Sequence, residues 1–169
     1  MTFALAVAGG NIFVGNGTSI GEYTTSGATV NANLITGLPG TPRGLAVVGN
    51  DLFVLTTPGT IGEYTTSGAT VNPSIISLSS FNSAPIGLAV FGNDMFVGDL
   101  VHGTIGEYTT SGSIVNNVLI SGLNKPFDIV VVPEPNSWVL AGLGLALTWV
   151  RMVWNWSKNL QRNLQQFLQ

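Results

Sequence analysis

Thr60–Asn72 reads TIGEYTTSGATVN, and Ser19–Asn31 (SIGEYTTSGATVN) repeats it at 12 of 13 positions. Thr104–Asn116 (TIGEYTTSGSIVN) is a third copy that matches the second at 11 of 13. The Gly-Glu-Tyr cores begin at Gly21, Gly62 and Gly106, giving spacings of 41 and 44 residues. Self-similarity at a fixed period of this length marks an array of supersecondary units. Each unit is too small to bury its apolar face alone and stacks on its neighbours.

Working outward from the middle copy, each unit reads as four short strands. Gly44–Val48 is the first, and a Gly49-Asn50-Asp51 turn leads to Leu52–Leu55. A loop through Pro58-Gly59 leads to Thr60–Thr65, then Thr66-Ser67-Gly68 makes a short hairpin loop before Ala69–Ile76. Runs of β-branched and aromatic residues between turn residues at 8–12-residue intervals are what an all-β meander requires. Pro42, Pro85 and Pro126 each sit in the connector before the first strand of the next unit. The units therefore span about 2–44, 45–87 and 88–126, and Phe127–Val132 (FDIVVV) starts a fourth as a partial strand. Met1–Ala8 is apolar, but Leu5-Ala6-Val7 aligns with Leu45-Ala46-Val47 and Leu88-Ala89-Val90 and no basic segment precedes it. It reads as the first strand of the first unit rather than as a leader.

Composition agrees with this reading. Only 8% of the residues are charged, against a norm of about 25%. Polarity comes from Thr, Ser, Asn and 22 glycines, a mix suited to sheets joined by glycine turns. A net charge of −3 with five basic residues provides no basic stripe, which argues against nucleic-acid binding. The absence of cysteine removes disulfides, thiol catalysis and Cys-ligated zinc.

The pattern P-x-G-L-A-V-x-G-N-D-L-F-V, as in Pro42–Val54, followed by G-T-I-G-E-Y at Gly59–Tyr64, resembles the repeats of NHL-type and related six-bladed β-propellers. The resemblance covers about residues 2–132. It implies an all-β array of three four-stranded antiparallel blades, an open or partial propeller followed by a C-terminal apolar helix. Propellers typically close with four to eight blades. Three and a fraction imply a fragment of a longer chain, an open arc, or self-association of two chains to complete a ring. The outermost strands would be exposed edges.

After Val132 the pattern changes. Pro133, Glu134 and Pro135 form an extended hinge across 133–137, because proline fixes its own φ and biases the preceding residue away from helix. Trp138–Val150 is apolar, and letting Arg151 snorkel extends the segment to Trp156, 19 residues in all. Trp138 at one end and Trp154 and Trp156 at the other suit the two interfaces of a membrane span over 138–156. Arg151, Lys158 and Arg162 place the C-terminal end in the cytoplasm and the repeats outside. Residues 157–169 then form a cytoplasmic tail with Leu160, Leu164, Phe167 and Leu168 at helical spacing. A buried helix of the repeat domain is the competing reading of the apolar segment.

The order Val-Pro-Glu-Pro, apolar helix, basic residue resembles the PEP-CTERM sorting signal of Gram-negative bacteria. That resemblance implies Pro133, Glu134 and Pro135 as the processing motif and Trp138, Arg151, Trp154 and Trp156 as parts of a transient anchor. It also implies an exosortase-type transpeptidase as partner, a place in the cell envelope, and release to the surface or extracellular matrix. Here Arg151 is followed by 18 more residues, a departure from that family's habit of ending soon after a dense basic cluster.

Two sets of polar residues could carry chemistry. Glu22, Glu63 and Glu107 are equivalent in the three units, and facing a common channel they would form a weak cation ring. The plainer alternative is a solvated strand position whose charge discourages edge pairing. Asp99 and His102 occur only in the third unit, as either a ligand or acid–base pair or an exposed loop histidine. No nucleophile elbow, phosphate loop or His-rich metal motif appears. The expectation is a non-enzymatic exported scaffold without catalytic residues, metal or cofactor, presenting Thr/Ser/Asn-rich loops to a polysaccharide or protein. The alternative is a fragment of a lactonase-like propeller hydrolase whose catalytic blades are missing.

Overall fold

The computed structural model describes residues 4–78 and 84–132. The first sheet contains β1 (Leu5–Ala8), β2 (Asn11–Asn16), β3 (Ser19–Thr24) and β4 (Thr29–Ile35). The second contains β5 (Pro42–Val48), β6 (Asp51–Thr56), β7 (Thr60–Thr65) and β8 (Thr70–Ser77). The third contains β9 (Pro85–Phe91), β10 (Asp94–Asp99), β11 (Thr104–Thr109) and β12 (Ile114–Ile120). Each sheet is an antiparallel meander whose strands lie in chain order, as expected of propeller blades that do not close a ring. Residues up to Val131 belong to one compact unit.

Local chemistry sets the strand ends. In the turn after β7, the Thr65 hydroxyl lies 2.8 Å from the Ser67 hydroxyl and accepts the Ala69 amide at 3.0 Å. The Gly68 amide closes the turn on the Thr65 carbonyl at 2.9 Å. Gly68 has φ +91°, which a side chain would resist. Four residues on, the Asn72 side-chain oxygen accepts the Ser74 amide at 3.1 Å. That local turn takes backbone out of the ladder, and the β7–β8 register shifts between Ile61 and Glu63 and again between Glu63 and Tyr64. The same shifts recur between β3 and β4 and between β11 and β12.

The core lies between sheets. Leu52 and Val54 point toward the first sheet and pack with Phe13, Ile20 and Ile35. Phe53 and Leu55, alternating with them, point toward the third sheet and pack with Leu88, Met95 and Val97. β6 is therefore buried on both faces, which explains its uninterrupted apolar run. Full burial of a side chain such as Leu52 stabilises the fold by roughly 1.5–3 kcal/mol. The strands that run side by side from sheet to sheet are β1, β5 and β9.

Phe127–Val132, expected as a fourth first strand, joins no strand ladder among the described residues. It nevertheless runs beside the third sheet, with Asp128 against Gly87 and Ile129 against Gly98. The hinge 133–137, the apolar segment 138–156 and the tail 157–169 lie outside the described residues, and so do Pro133, Glu134, Pro135, Trp138, Arg151, Trp154 and Trp156. Among the described residues, no helix is long and apolar enough to cross a membrane.

Candidate functional site

The loop from β10 to β11 is one residue longer than its counterpart between β6 and β7, and it brings Asp99 and His102 together. His102 Nδ1 lies 2.6 Å from an Asp99 carboxylate oxygen. The other carboxylate oxygen accepts the backbone amides of Val101 at 2.9 Å and His102 at 3.2 Å, and of Ala84 at 3.4 Å. Partial burial alone would push the Asp99 carboxyl up. The hydrogen bonds from the His102 side chain and from these three amides outweigh it and hold the group below the usual carboxylate range.

The pair borders a cavity of about 320 Å³ whose walls include Leu78, Pro85, Tyr108, Ile114 and Val118. Burial, and secondarily the Asp99 charge, pushes the Tyr108 phenol up. The Asp99 side chain is 17% exposed and that of His102 is 49% exposed. Chemically, the carboxylate fixes the imidazole through Nδ1 and leaves Nε2 as its second polar atom. The same carboxylate also ties the loop together through its backbone amides, which is a structural role.

The carboxylates of Glu22, Glu63 and Glu107 are not brought to one place. Each lies on the third strand of its own sheet, opposite Phe13, Phe53 and Phe96 respectively. Directly opposed residues share a face, so each glutamate looks toward the following sheet position rather than toward the strands that run side by side. Among the described residues, no group of three acidic or histidine side chains could hold a metal ion. The three glutamates therefore stand at separate positions, one per sheet, and in the first two sheets the glutamate's face borders a cleft with the next sheet. Glu22 lines one such cleft, a cavity of about 390 Å³ shared with Thr66 and Ser67 of the next sheet.

The surroundings of the glutamates differ in a way the repeat pattern hides. Asn11 donates a hydrogen bond to Glu22 at 2.7 Å. The second sheet has Asp51 at the equivalent place, paired with Thr65 as Asn11 is with Thr24. Desolvation, and then the Asp51 charge, pushes the Glu63 carboxyl up.

The turn hydroxyls form the most regular polar feature. Thr24 and Ser26, Thr65 and Ser67, and Thr109 and Ser111 are each 2.8 Å apart, at the same turn of each sheet and exposed. The sequence marks Thr66-Ser67-Gly68 as a hairpin loop and the Thr/Ser/Asn-rich loops as a binding surface, without singling out the paired hydroxyls. The threefold recurrence of the Thr-Thr-Ser-Gly string was the signal for them.

No family model matches the chain, and no curated protein sequence matches it either. Solved structures do. The computationally designed Ika4 protein is 17% identical, with a TM-score of 0.60 over 79% of this chain and 81% of that one. Virginiamycin B lyase from Staphylococcus aureus is 20% identical, with a TM-score of 0.55 over 75% of this chain and 44% of that one. The WD40 β-propeller domain of Doa1 is 12% identical, with a TM-score of 0.50 over 68% of this chain and 41% of that one. At these identities the likeness is one of fold: the sheets are propeller blades. This chain spans less than half the length of the lyase and Doa1 chains.

Proposed function

We propose that this chain is a non-enzymatic interaction scaffold of a Gram-negative cell envelope, binding a polysaccharide or protein through its repeated turns. The observation that carries this reading is the identical exposed Thr–Ser hydroxyl pair at the same turn of each sheet. Hydroxyls repeated at a fixed spacing suit a partner that is itself repetitive, such as a glycan chain, because each weak contact raises the effective concentration for the next. In this reading the segment 138–156 anchors the exported protein, and a transpeptidase of the exosortase type cleaves near Pro133–Pro135. Support for that part is the Val132–Pro135 sequence followed at once by an apolar run flanked by tryptophans.

The test uses the full chain behind an added cleavable signal peptide and an N-terminal tag, in Gram-negative hosts with and without a sorting transpeptidase. Expected is a repeat domain accessible to external protease, released as a fragment lacking 138–169 only in the host with the enzyme. Replacing Pro133, Glu134 and Pro135 by alanine should block release. Repeats that stay inside the cell, or that remain membrane-bound beside an active transpeptidase, would overturn the anchoring reading. Ser26→Ala, Ser67→Ala and Ser111→Ala combined should weaken retention on envelope polysaccharide, while undiminished retention would remove the turns from the proposal.

A second reading, part of a propeller hydrolase, is favoured by the Asp99–His102 pair beside its apolar cavity. Ester or lactone hydrolysis abolished by His102→Ala would support it over the scaffold. Hydrolysis that is absent, or indifferent to that substitution, would dismiss it.

A further inference from the structure

We infer that two copies of this chain close into one six-sheet ring, the third sheet of each copy docking on the first sheet of the other. The chain already builds the required interface twice. Between the first and second sheets it joins Phe13, Ile20 and Ile35 to Leu45, Leu52 and Val54. Between the second and third it joins Phe53, Ile61 and Ile76 to Leu88, Met95 and Val97. A third junction of the same kind would join Phe96, Ile105 and Ile120 to Leu5, Ile12 and Val14.

Both halves of that junction are present and unmatched. Leu5 is 59% exposed, where its equivalents Leu45 and Leu88 are 6% and 5% exposed. Ile120 is 45% exposed, where Ile35 and Ile76 are 4% and 7% exposed. The backbone shows the same vacancy. A methyl on Gly68 would meet the Leu34 carbonyl oxygen at 2.5 Å, and one on Gly112 would meet that of Ile75. The equivalent Gly27 has nothing within 4 Å. Leu119, which corresponds to Leu34 and Ile75, is 41% exposed and supplies the missing partner from a second copy.

The two faces are complementary to each other and not to themselves, so the contact is heterologous and must either close or propagate. Two copies give six sheets, within the four to eight that typically close a propeller, whereas three give nine. Phe127–Val131 overlies the inner end of the third sheet, where Asp128 stands over Gly87 much as Leu88 stands over Gly44. It thus holds the place of the incoming β1, and lacking a strand ladder of its own it yields that place on docking.

The experiment is native mass spectrometry and light scattering on the full chain in a mild nonionic detergent. Wild type is expected as a dimer. Leu5→Glu and Ile120→Glu, both at exposed positions, should each weaken association about 30-fold or more while leaving the circular dichroism of the fold intact. Mixing the two variants should restore a dimer, because one junction then contains no substitution. If Ile120→Glu misfolds, Leu119→Arg takes its place, and if Leu5→Glu misfolds, Val7→Glu on the same face of β1 takes its place, so that one variant always lies on each half of the junction. A wild-type monomer, assemblies larger than a dimer, variants that stay dimeric through the tail or the β12 edge, or a mixture that fails to pair would each overturn the ring. Ile129→Asp, which loosens the placeholder segment, should tighten the dimer; weaker association would remove that segment's assigned role.

Discussion

Tyr64 lays its ring across Gly62, its same-face neighbour two residues earlier on β7. A methyl group on Gly62 would come within 2.9 Å of the ring and within 2.9 Å of the Pro73 carbonyl oxygen on β8. The relationship recurs for Tyr23 over Gly21 and Tyr108 over Gly106. The Gly-Glu-Tyr core is therefore a packing device in which the aromatic ring covers the backbone that glycine exposes.

Gly62→Ala should accordingly destabilise the repeat domain by about 1–3 kcal/mol, because backbone and a buried ring must both give way. Urea unfolding followed by tryptophan-independent circular dichroism measures it as a lower midpoint at unchanged slope. An unchanged midpoint would mean that the ring swings aside freely, and the packing account would be wrong.

Burial on both faces of β6 separates two leucines that look alike in sequence. Leu52→Ala removes a side chain of 0% exposure and should cost about 2–5 kcal/mol. Leu5→Ala, at 59% exposure within one copy, should shift stability by only about 0.5 kcal/mol or less when made in the Ile120→Glu background, which keeps the chain monomeric. Similar losses for both in that background would show that the first sheet's outer face is covered within a single copy.

The strands were legible because their signals are local. Thr60–Thr65 was expected at its observed limits, since β-branched residues end at a Thr-Ser-Gly turn closed by hydrogen bonds that link Thr65 to Ser67, Gly68 and Ala69. What escaped the sequence depends on neighbours. Gly27 and Gly68 occupy identical strings, yet only Gly68 abuts a preceding sheet. Phe127–Val132 has strand composition, but a strand needs a partner to complete its ladder. Asp99 and His102 were visible as an oddity of the third repeat, while their 2.6 Å contact depends on the curl of one extra loop residue. The glutamates were visible as equivalent, but equivalence along a repeat array separates residues by one sheet each rather than gathering them.

Asp99 makes the loop's contribution to stability depend on pH. Its folded carboxyl lies below the usual value, so the unfolded chain binds the proton more readily. The contribution is present above the unfolded carboxylate pKa and is lost as pH falls through the lower folded value. Wild type should therefore lose more stability between pH 7 and pH 3 than Asp99→Asn does, in urea unfolding at each pH. Equal losses would mean that the amide and imidazole contacts to Asp99 are not maintained in solution.

Glu63 carries the opposite sign, and the first sheet provides its control. Desolvation and then the Asp51 charge raise the folded Glu63 carboxyl above its ordinary value. A raised acid favours the folded state in its protonated form, so its contribution is fully present below the unfolded pKa and fades as pH rises through the folded one. At neutral pH the ionised Glu63 thus faces a like charge, where Glu22 instead accepts a hydrogen bond from Asn11 at 2.7 Å. Asp51→Asn copies that arrangement into the second sheet, replacing repulsion with a donor. Both groups are partly solvated, so screening limits the gain to a few tenths of a kcal/mol. The variant should be more stable than wild type at pH 7, with the difference shrinking at pH 3 as Glu63 takes up its proton. The difference should also shrink in high salt, because the repulsion it removes is screened there. A variant less stable than wild type at pH 7 would show that Asp51 has a favourable partner which outweighs its repulsion of Glu63.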